Sequence, residues 1–365
     1  MKHLLNLLAA IALLVWGTHL VRTGVLRVFG ANLRHILARS MGNRFTAALS
    51  GIGVTALVQS STATSLITSS FVGQGLITLP AALAVMRGAD IGTSLMSVLI
   101  SFDLSWLSPL FIFVGVVLFL VGQDKKPGRI GRVLIGLGLM LLALRLVVEA
   151  TDPLLASPAV KALLGAVSSD ILLEIFLGTV LAVIAYSSLA VVLLIAALAA
   201  SSVIQLDVAL GLVLGANLGS GVLAVLTTGK SITEVRQVTV GNLVFKLMGV
   251  ILVAPCVGLW LAHVQPMLPG KTEGVVLFHL AFNVAMSVAF IGLTQFVANA
   301  VAKLLPKPPP AASQMRPQHL DPYSLSSPSL AISCAARDAL HQADIVENMM
   351  LAILTFIKNN DVKLA

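Results

Sequence analysis

Apolar residues gather into seven stretches that predict membrane-spanning helices, near 4–21, 80–101, 107–122, 131–149, 206–228, 238–262 and 274–297. Several are about twenty residues long, enough to cross a hydrocarbon core of roughly 30 Å. Two further segments, 45–77 and 172–202, are apolar but broken by Ser, Thr, Gly and Gln. Each predicts a re-entrant helical hairpin whose non-helical tip is shielded by protein or lines a water-filled cavity. After Leu305 the pattern changes: Lys307-Pro-Pro-Pro310 and a Pro/Ser-rich stretch to Pro328 predict an extended linker. Residues 330–357 then turn amphipathic, with Leu340, Ile345, Met349, Ala352 and Phe356 at helical spacing. Such a helix needs a partner for its apolar stripe: the membrane part, a second copy of the chain in a homodimer, or further helices.

The two broken segments repeat one another. Gln59-Ser-Ser-Thr-Ala-Thr-Ser65 is followed, 29 positions after Gln59, by Gly88-Ala-Asp-Ile-Gly-Thr-Ser94. Tyr186-Ser-Ser-Leu-Ala190 is followed, at the same interval from Tyr186, by Gly215-Ala-Asn-Leu-Gly-Ser-Gly221. An ungapped shift of 127 residues superposes both serines of each pair and both glycines of each Gly-Ala-X-X-Gly. The same shift carries the span at 4–21 onto 131–148 and that at 80–101 onto 207–228. Small hydroxyl residues duplicated inside hydrophobic sequence are the mark of a transporter substrate site at the bilayer midplane.

Charge sets an expected orientation. Arg22, Arg27, Arg34, Arg39 and Arg44 occupy one stretch without an acid, and Lys125, Lys126, Arg129 and Arg132 another. Placing both inside, by the positive-inside rule, makes the two hairpins enter from opposite faces. The N-terminus is then outside and the C-terminus cytoplasmic. The predicted fold is an all-α polytopic membrane protein, built from two inverted-topology repeats, each with a re-entrant hairpin. The expected divisions are 1–127 for repeat 1, 128–303 for repeat 2 plus a final span, 304–329 for the linker and 330–365 for the tail helix. With 58% hydrophobic and 10% charged residues and a mean hydropathy of +1.00, the chain is no soluble domain. Its net charge of +8 therefore reads as topology and not as a nucleic-acid footprint. Cys256 and Cys334 suggest neither a disulfide framework nor a metal cluster.

At each hairpin tip a half-helix N-terminus offers unsatisfied N–H groups and the positive end of a dipole. Ser60, Ser61, Thr62, Ser187 and Ser188 add donors there, and an oxyanion is the natural guest. Hydroxyls, Gln59 and unwound carbonyls equally provide oxygen ligands for a cation of sodium size. Asp90 and Arg87, three apart in a predicted span, are positioned to pair. Asp90 is read either as a cation ligand or as the structural partner of Arg87. It aligns with Asn217. Asn242, Lys246, His279 and Asn283 are polar positions in the last spans. The Gly-Ala-X-X-Gly glycines are read as permitting close helix approach. A serine hydrolase using His279 is a remote alternative: no Gly-X-Ser-X-Gly elbow is present, and its serine would not need duplication.

With these residues in view, 5–300 resembles a bacterial member of the type II sodium–phosphate cotransporter family, which implies the bacterial inner membrane as its location. The likeness rests on Gln59-Ser-Ser-Thr-Ala-Thr64, Gly88-Ala-Asp-Ile-Gly-Thr93 and their echoes, with Gly17-Thr-His-Leu20, Arg236, Phe245 and His279-Leu-Ala-Phe-Asn283 in support. The resemblance implies sodium-coupled movement of inorganic phosphate, with no cofactor beyond sodium as coupling ion and no enzymatic step. Ser60, Ser61, Ser187 and Ser188 would contact phosphate. Gln59, Thr62, Thr64, Asp90 and Asn217 would ligate or support the cation. Ala343-Asp-Ile-Val-Glu-Asn348 resembles the opening of a PhoU-like helical domain. Two positions depart from the family pattern: Tyr186 stands for glutamine, and Asp90 for the more usual asparagine. A sodium-independent exporter or channel, or a phosphate sensor, is the alternative reading.

Overall fold

A computed structural model describes residues 2–39, 43–102, 106–122, 125–155, 170–306, 320, 324 and 328–359. Among these residues the chain is helical, with no strand. In chain order the helices are α1 (Lys2–Arg39), α2 (Arg44–Val58), α3 (Ser61–Gly73), α4 (Leu79–Ser101), α5 (Leu107–Gly122) and α6 (Lys126–Leu155). There follow α7 (Ile171–Ile184), α8 (Ser188–Ala200), α9 (Leu206–Thr228), α10 (Thr233–Val253), α11 (Lys271–Phe290), α12 (Thr294–Leu304) and α13 (Pro328–Asn359). The chain divides into two compact units, Met1–Pro306 and Lys307–Ala365. Most of the predicted linker over 304–329 lies outside the described residues, as do the side chains of Arg34, Arg39, Ala352 and Phe356.

Among the described residues, six helical stretches are long and apolar enough to cross a membrane: Leu4–Gly30, Leu79–Ser101, Lys126–Ala150, Leu206–Thr228, Thr233–Met267 and Lys271–Leu304. This is an all-α multi-pass membrane protein. The remaining predicted span, α5, has 16 residues and rises about 24 Å, so it groups with the shorter apolar helices that form the hairpin arms. Two boundaries differ from expectation. The basic stretch after residue 21 does not leave the helix: α1 runs on to Arg39, because arginine is a good helix former and no proline interrupts it. The span expected at 238–262 starts earlier and runs to Met267. It passes through a 3₁₀ turn at Ala254–Cys256 and a π turn at Trp260–Val264, since Pro255 lacks the N–H that a regular helix requires.

Helix ends recur at the 127-residue shift. The N-cap Asn43 of α2 corresponds to the N-cap Asp170 of α7, and each side chain accepts a backbone N–H two residues on, at 3.0 and 2.8 Å. Both second arms close with one turn geometry. Leu76 N–H donates to Phe71 O and Val203 N–H to Leu198 O, each at 2.9 Å. Gly75 provides the left-handed residue of the first turn at φ 68, and Ser202 fills its place in the second at φ 57. A residue with a Cβ is strained there by about 1–2 kcal/mol. Ser202→Gly is therefore expected to raise the thermal unfolding midpoint slightly, by up to about 1 kcal/mol of stability after the greater freedom of the unfolded glycine is subtracted.

Glycine carries the tightest packing. A Cβ on Gly88 or Gly215 would fall onto the carbonyls of Ala48 and Ile175, and one on Gly51 or Gly178 onto those of Val85 and Leu212. The α2–α4 and α7–α9 interfaces are thus the same close contact made twice, with helices parallel in each pair. By contrast α1 and α6 run antiparallel: Gly17 faces Gly136 and Met140, while Gly24 faces Arg129 and Val133. The second hairpin arms reach across the molecule. Helix α3 packs on α9 and α10, and α8 packs on α4, α6 and α11.

Candidate functional site

Each hairpin reverses by the same backbone device. At the first tip Gln59 takes left-handed backbone (φ 57) and Ser60 extended backbone (φ −153, ψ 107). At the second, Tyr186 has φ 51 and Ser187 φ −159, ψ 107. Ser60 and Ser187 cap α3 and α8: their hydroxyl oxygens accept the backbone N–H of Ala63 and Ala190, both at 3.2 Å. Acceptance uses an oxygen lone pair and leaves the O–H free to donate. Ser61 and Ser188 begin the helices and are buried, beside N–H groups that have no partner inside the helix. Tip, cap and helix N-terminus therefore converge as donors at both hairpins.

The two tips differ in their surroundings. In the first, Thr64 is fully buried; its hydroxyl meets Thr55 Oγ1 at 2.8 Å and donates to Ser60 O at 3.2 Å. This brace ties the two arms together. Gln59 Oε1, Ser65 Oγ, Thr68 Oγ1 and Ser69 Oγ are buried without hydrogen-bond partners among the described residues. The corresponding positions of the second hairpin are Tyr186, Val192, Ile195 and Ala196, and the Thr55–Thr64 brace corresponds to Ala182 and Val191. One arm is lined with oxygen and its counterpart with hydrocarbon. Thr62 is half-buried on the first turn of α3. Tyr186 is 59% exposed.

Asp90 sits at the middle of α4, 2% exposed, and both of its oxygens are taken. Arg87 Nη2 donates to Oδ2 and Lys246 Nζ, from α10, donates to Oδ1, each at 2.7 Å. Arg87 Nη2 also donates to Asn242 Oδ1, and its guanidinium stacks over the Phe245 ring with 4.9 Å to the centroid. Arg87 and Lys246 are 2% and 3% exposed, so one carboxylate is shared by two buried cations. Asp90 is thus the ion-pair partner of Arg87, and Lys246 adds a second cation.

At the equivalent point of α9, Asn217 Oδ1 accepts from Asn283 Nδ2 at 3.1 Å, while Asn217 Nδ2 donates to Val213 O. Each repeat thus ties its Gly-Ala-X-X-Gly helix to one of the last two spans, once by charge and once by an amide pair. His279 lies 3.1 Å from Ser97 Oγ, and its structural partner is therefore neither hairpin serine. Ser287 Oγ donates to the Arg87 carbonyl at 3.0 Å. Sequence reasoning noted Lys246 and Asn242 without a role and overlooked Ser97 and Ser287. A cation inside a span demands a partner, which flags Lys246, but nothing local names an acid 156 positions away.

The family model of the Na+/Pi-cotransporter matches residues 13–149 and 153–295. Curated relatives include the "Putative inorganic phosphate export protein YjbB" of Escherichia coli O157:H7, 47% identical over 96% of this chain and 64% of its own length. The protein of the same name from Salmonella typhimurium is 46% identical over the same shares. The "Uncharacterized protein YqeW" of Bacillus subtilis is 23% identical over 83% of this chain and 98% of its own length. The chain thus spans just under two thirds of the length of its YjbB relatives. No solved structure matches.

Proposed function

Because the chain belongs to the Na+/Pi-cotransporter family, we propose that it carries inorganic phosphate across the bacterial inner membrane by alternating access, holding it at the two hairpin tips. The observation that carries this reading is the matched pair of Ser-Ser caps at Ser60-Ser61 and Ser187-Ser188. Each presents hydroxyl and backbone donors at a helix N-terminus, where an oxyanion is favoured. Two such tips give a tetrahedral anion donors from both repeats. The antiparallel run of α1 against α6, equivalent helices under the 127-residue shift, supports an inverted relation of the repeats. In that arrangement, rocking one half against the other opens the site to each side in turn.

Sodium, where it couples, belongs beside the first hairpin. Gln59, Thr62 and the unpartnered oxygens of Ser65, Thr68 and Ser69 are there, and the second hairpin offers aliphatic side chains at the same places. Asn217 and Thr64 support the helices around the tips. Coupling then follows from reorientation of the empty and the fully loaded site in preference to the half-loaded one. Outward, sodium-independent movement is the second reading. It draws on Lys246, whose ammonium already occupies the Asp90 oxygen that a coupling cation would use, and on the export named for the YjbB relatives.

Radiolabelled phosphate flux in proteoliposomes, with and without a sodium gradient, separates the readings. We expect saturable phosphate flux that falls at least tenfold in Ser61→Ala and in Ser188→Ala. That fall equals about 1.4 kcal/mol of lost anion stabilisation, the scale of one hydrogen bond to a charged group. Flux unaffected by both substitutions rules out the hairpin site. Flux that is lost in the variants yet indifferent to sodium selects the second reading.

A further inference from the structure

Away from the hairpins, α1, α5 and α6 enclose a cavity of about 330 Å³ at the arginine-rich end of the first span. Its lining includes Trp16, His19 and Arg27 from α1, Phe119 from α5, and Arg132 and Ile135 from α6, with no acidic side chain among the described residues that line it. We propose that this cavity binds the phosphate headgroup of an anionic glycerophospholipid from the leaflet on that side.

The depth of the lining residues follows from helix rise and packing. Arg129 Nη1 donates to Arg27 O at 3.0 Å, which puts Arg27 level with the first turn of α6, where the charged loop meets the bilayer. Trp16 lies eleven residues back along α1, about 16 Å deeper at 1.5 Å per residue. Ile135 lies beside Gly136, which faces Gly17 and Val21. Positive charge therefore stands at the headgroup level, and Trp16 and Ile135 stand below it, at the level of the acyl chains.

The lining fits that ligand chemically. Arg132 stacks over Phe119, 5.5 Å from the ring centroid, and His19 stacks on Trp16 at 5.4 Å. Arg22 Nη2 lies 3.2 Å from His19 Nδ1. The Phe119 ring holds Arg132 without consuming its charge, and among the described residues neither arginine of the lining has a salt bridge to a carboxylate. Basic pockets between helices at a membrane surface select anionic headgroups. Arginine does so by forked donation to phosphate oxygens. Trp16 is 55% exposed and so leaves an apolar ring open to an acyl chain below the headgroup level. The volume suits a headgroup and leaves the acyl chains outside along α1 and α5.

The test is native mass spectrometry of the full chain in detergent carrying equal amounts of phosphatidylglycerol and phosphatidylcholine. We expect bound phosphatidylglycerol to exceed phosphatidylcholine several-fold. The ratio should fall to about one in Arg27→Gln/Arg132→Gln and persist in Arg27→Lys/Arg132→Lys. An equal ratio in the unaltered chain, or an undiminished preference in the glutamine pair, overturns the proposal. So does loss of bound lipid on adding millimolar inorganic phosphate, which would make this a site for the free anion. A second measurement does not depend on the glutamine pair folding. In Trp106→Phe/Trp260→Phe, brominated phosphatidylglycerol should quench Trp16 fluorescence more strongly than brominated phosphatidylcholine. Equal quenching counts against the site.

Discussion

Asp90→Asn is expected to destabilise the protein by about 3–5 kcal/mol, the scale for removing one partner of a buried ion pair. The change leaves Arg87 and Lys246, both nearly inaccessible, as two cations without a counter-charge in the middle of the helix bundle. The new amide also turns N–H donors toward one of them. Lys246→Met should be far milder, because the Arg87–Asp90 pair at 2.7 Å survives it and a methionine fills the volume that the lysine stem occupied. Asp90→Asn/Lys246→Met should recover much of the loss. One cation then remains, held by Asn242 and the Phe245 face. Thermal unfolding of the four proteins in detergent checks the order: unaltered chain, Lys246→Met, the double variant, Asp90→Asn. Should Lys246→Met prove as damaging as Asp90→Asn, the lysine does more than balance charge.

Gly88→Ala and Gly215→Ala are expected to be comparably severe, for a reason unrelated to charge. An added methyl at either position runs into backbone, the carbonyls of Ala48 and Ile175. A helix cannot yield there as a side chain would. Overpacking a core commonly costs about 1–3 kcal/mol, and displacing backbone puts these two at the upper end or beyond. Gly53→Ala is the control: it lies on the same α2, yet its new methyl meets nothing within 4 Å. That change should be neutral or slightly stabilising, since alanine is the better helix former by about 1 kcal/mol. Yield of monodisperse protein and the unfolding midpoint read both effects. Equal tolerance of all three alanines would show that the parallel helix pairs are looser than the packing here implies.

The alanine pair also bears on how the repeats work as units. If the α2–α4 and α7–α9 contacts hold each hairpin to its own neighbouring span, the two substitutions should add. The nearest neighbours differ, Ala48 for Gly88 and Ile175 with Gly178 for Gly215, and independent sites add to within about 0.5 kcal/mol.

Much of this molecule was legible in its sequence, because the lipid bilayer imposes one solvent on most of the chain. Apolar run length marked the spans, and Ser, Gly and Gln inside apolar segments marked the hairpins. The 127-residue echo marked their equivalence. The Ser-Ser pairs declared themselves as helix starts, since serine caps a helix well and interrupts it poorly. Helix ends were less legible. Leaving the apolar core does not oblige a helix to stop, so α1 continued through its arginines to Arg39.

What only the tertiary structure decided was partnership. Arg87 and Asp90 are three residues apart, and helical periodicity alone put them on one face. The arrival of Lys246 at the other oxygen of Asp90 depends on how α10 crosses α4, and the Asn217–Asn283 pair on how α11 meets α9. Local sequence sets the period and ends of a helix through backbone hydrogen bonds and side-chain caps. Which face of one helix meets which face of another is settled by packing summed over the whole interface, with each polar group inside the bundle left to find its partner there.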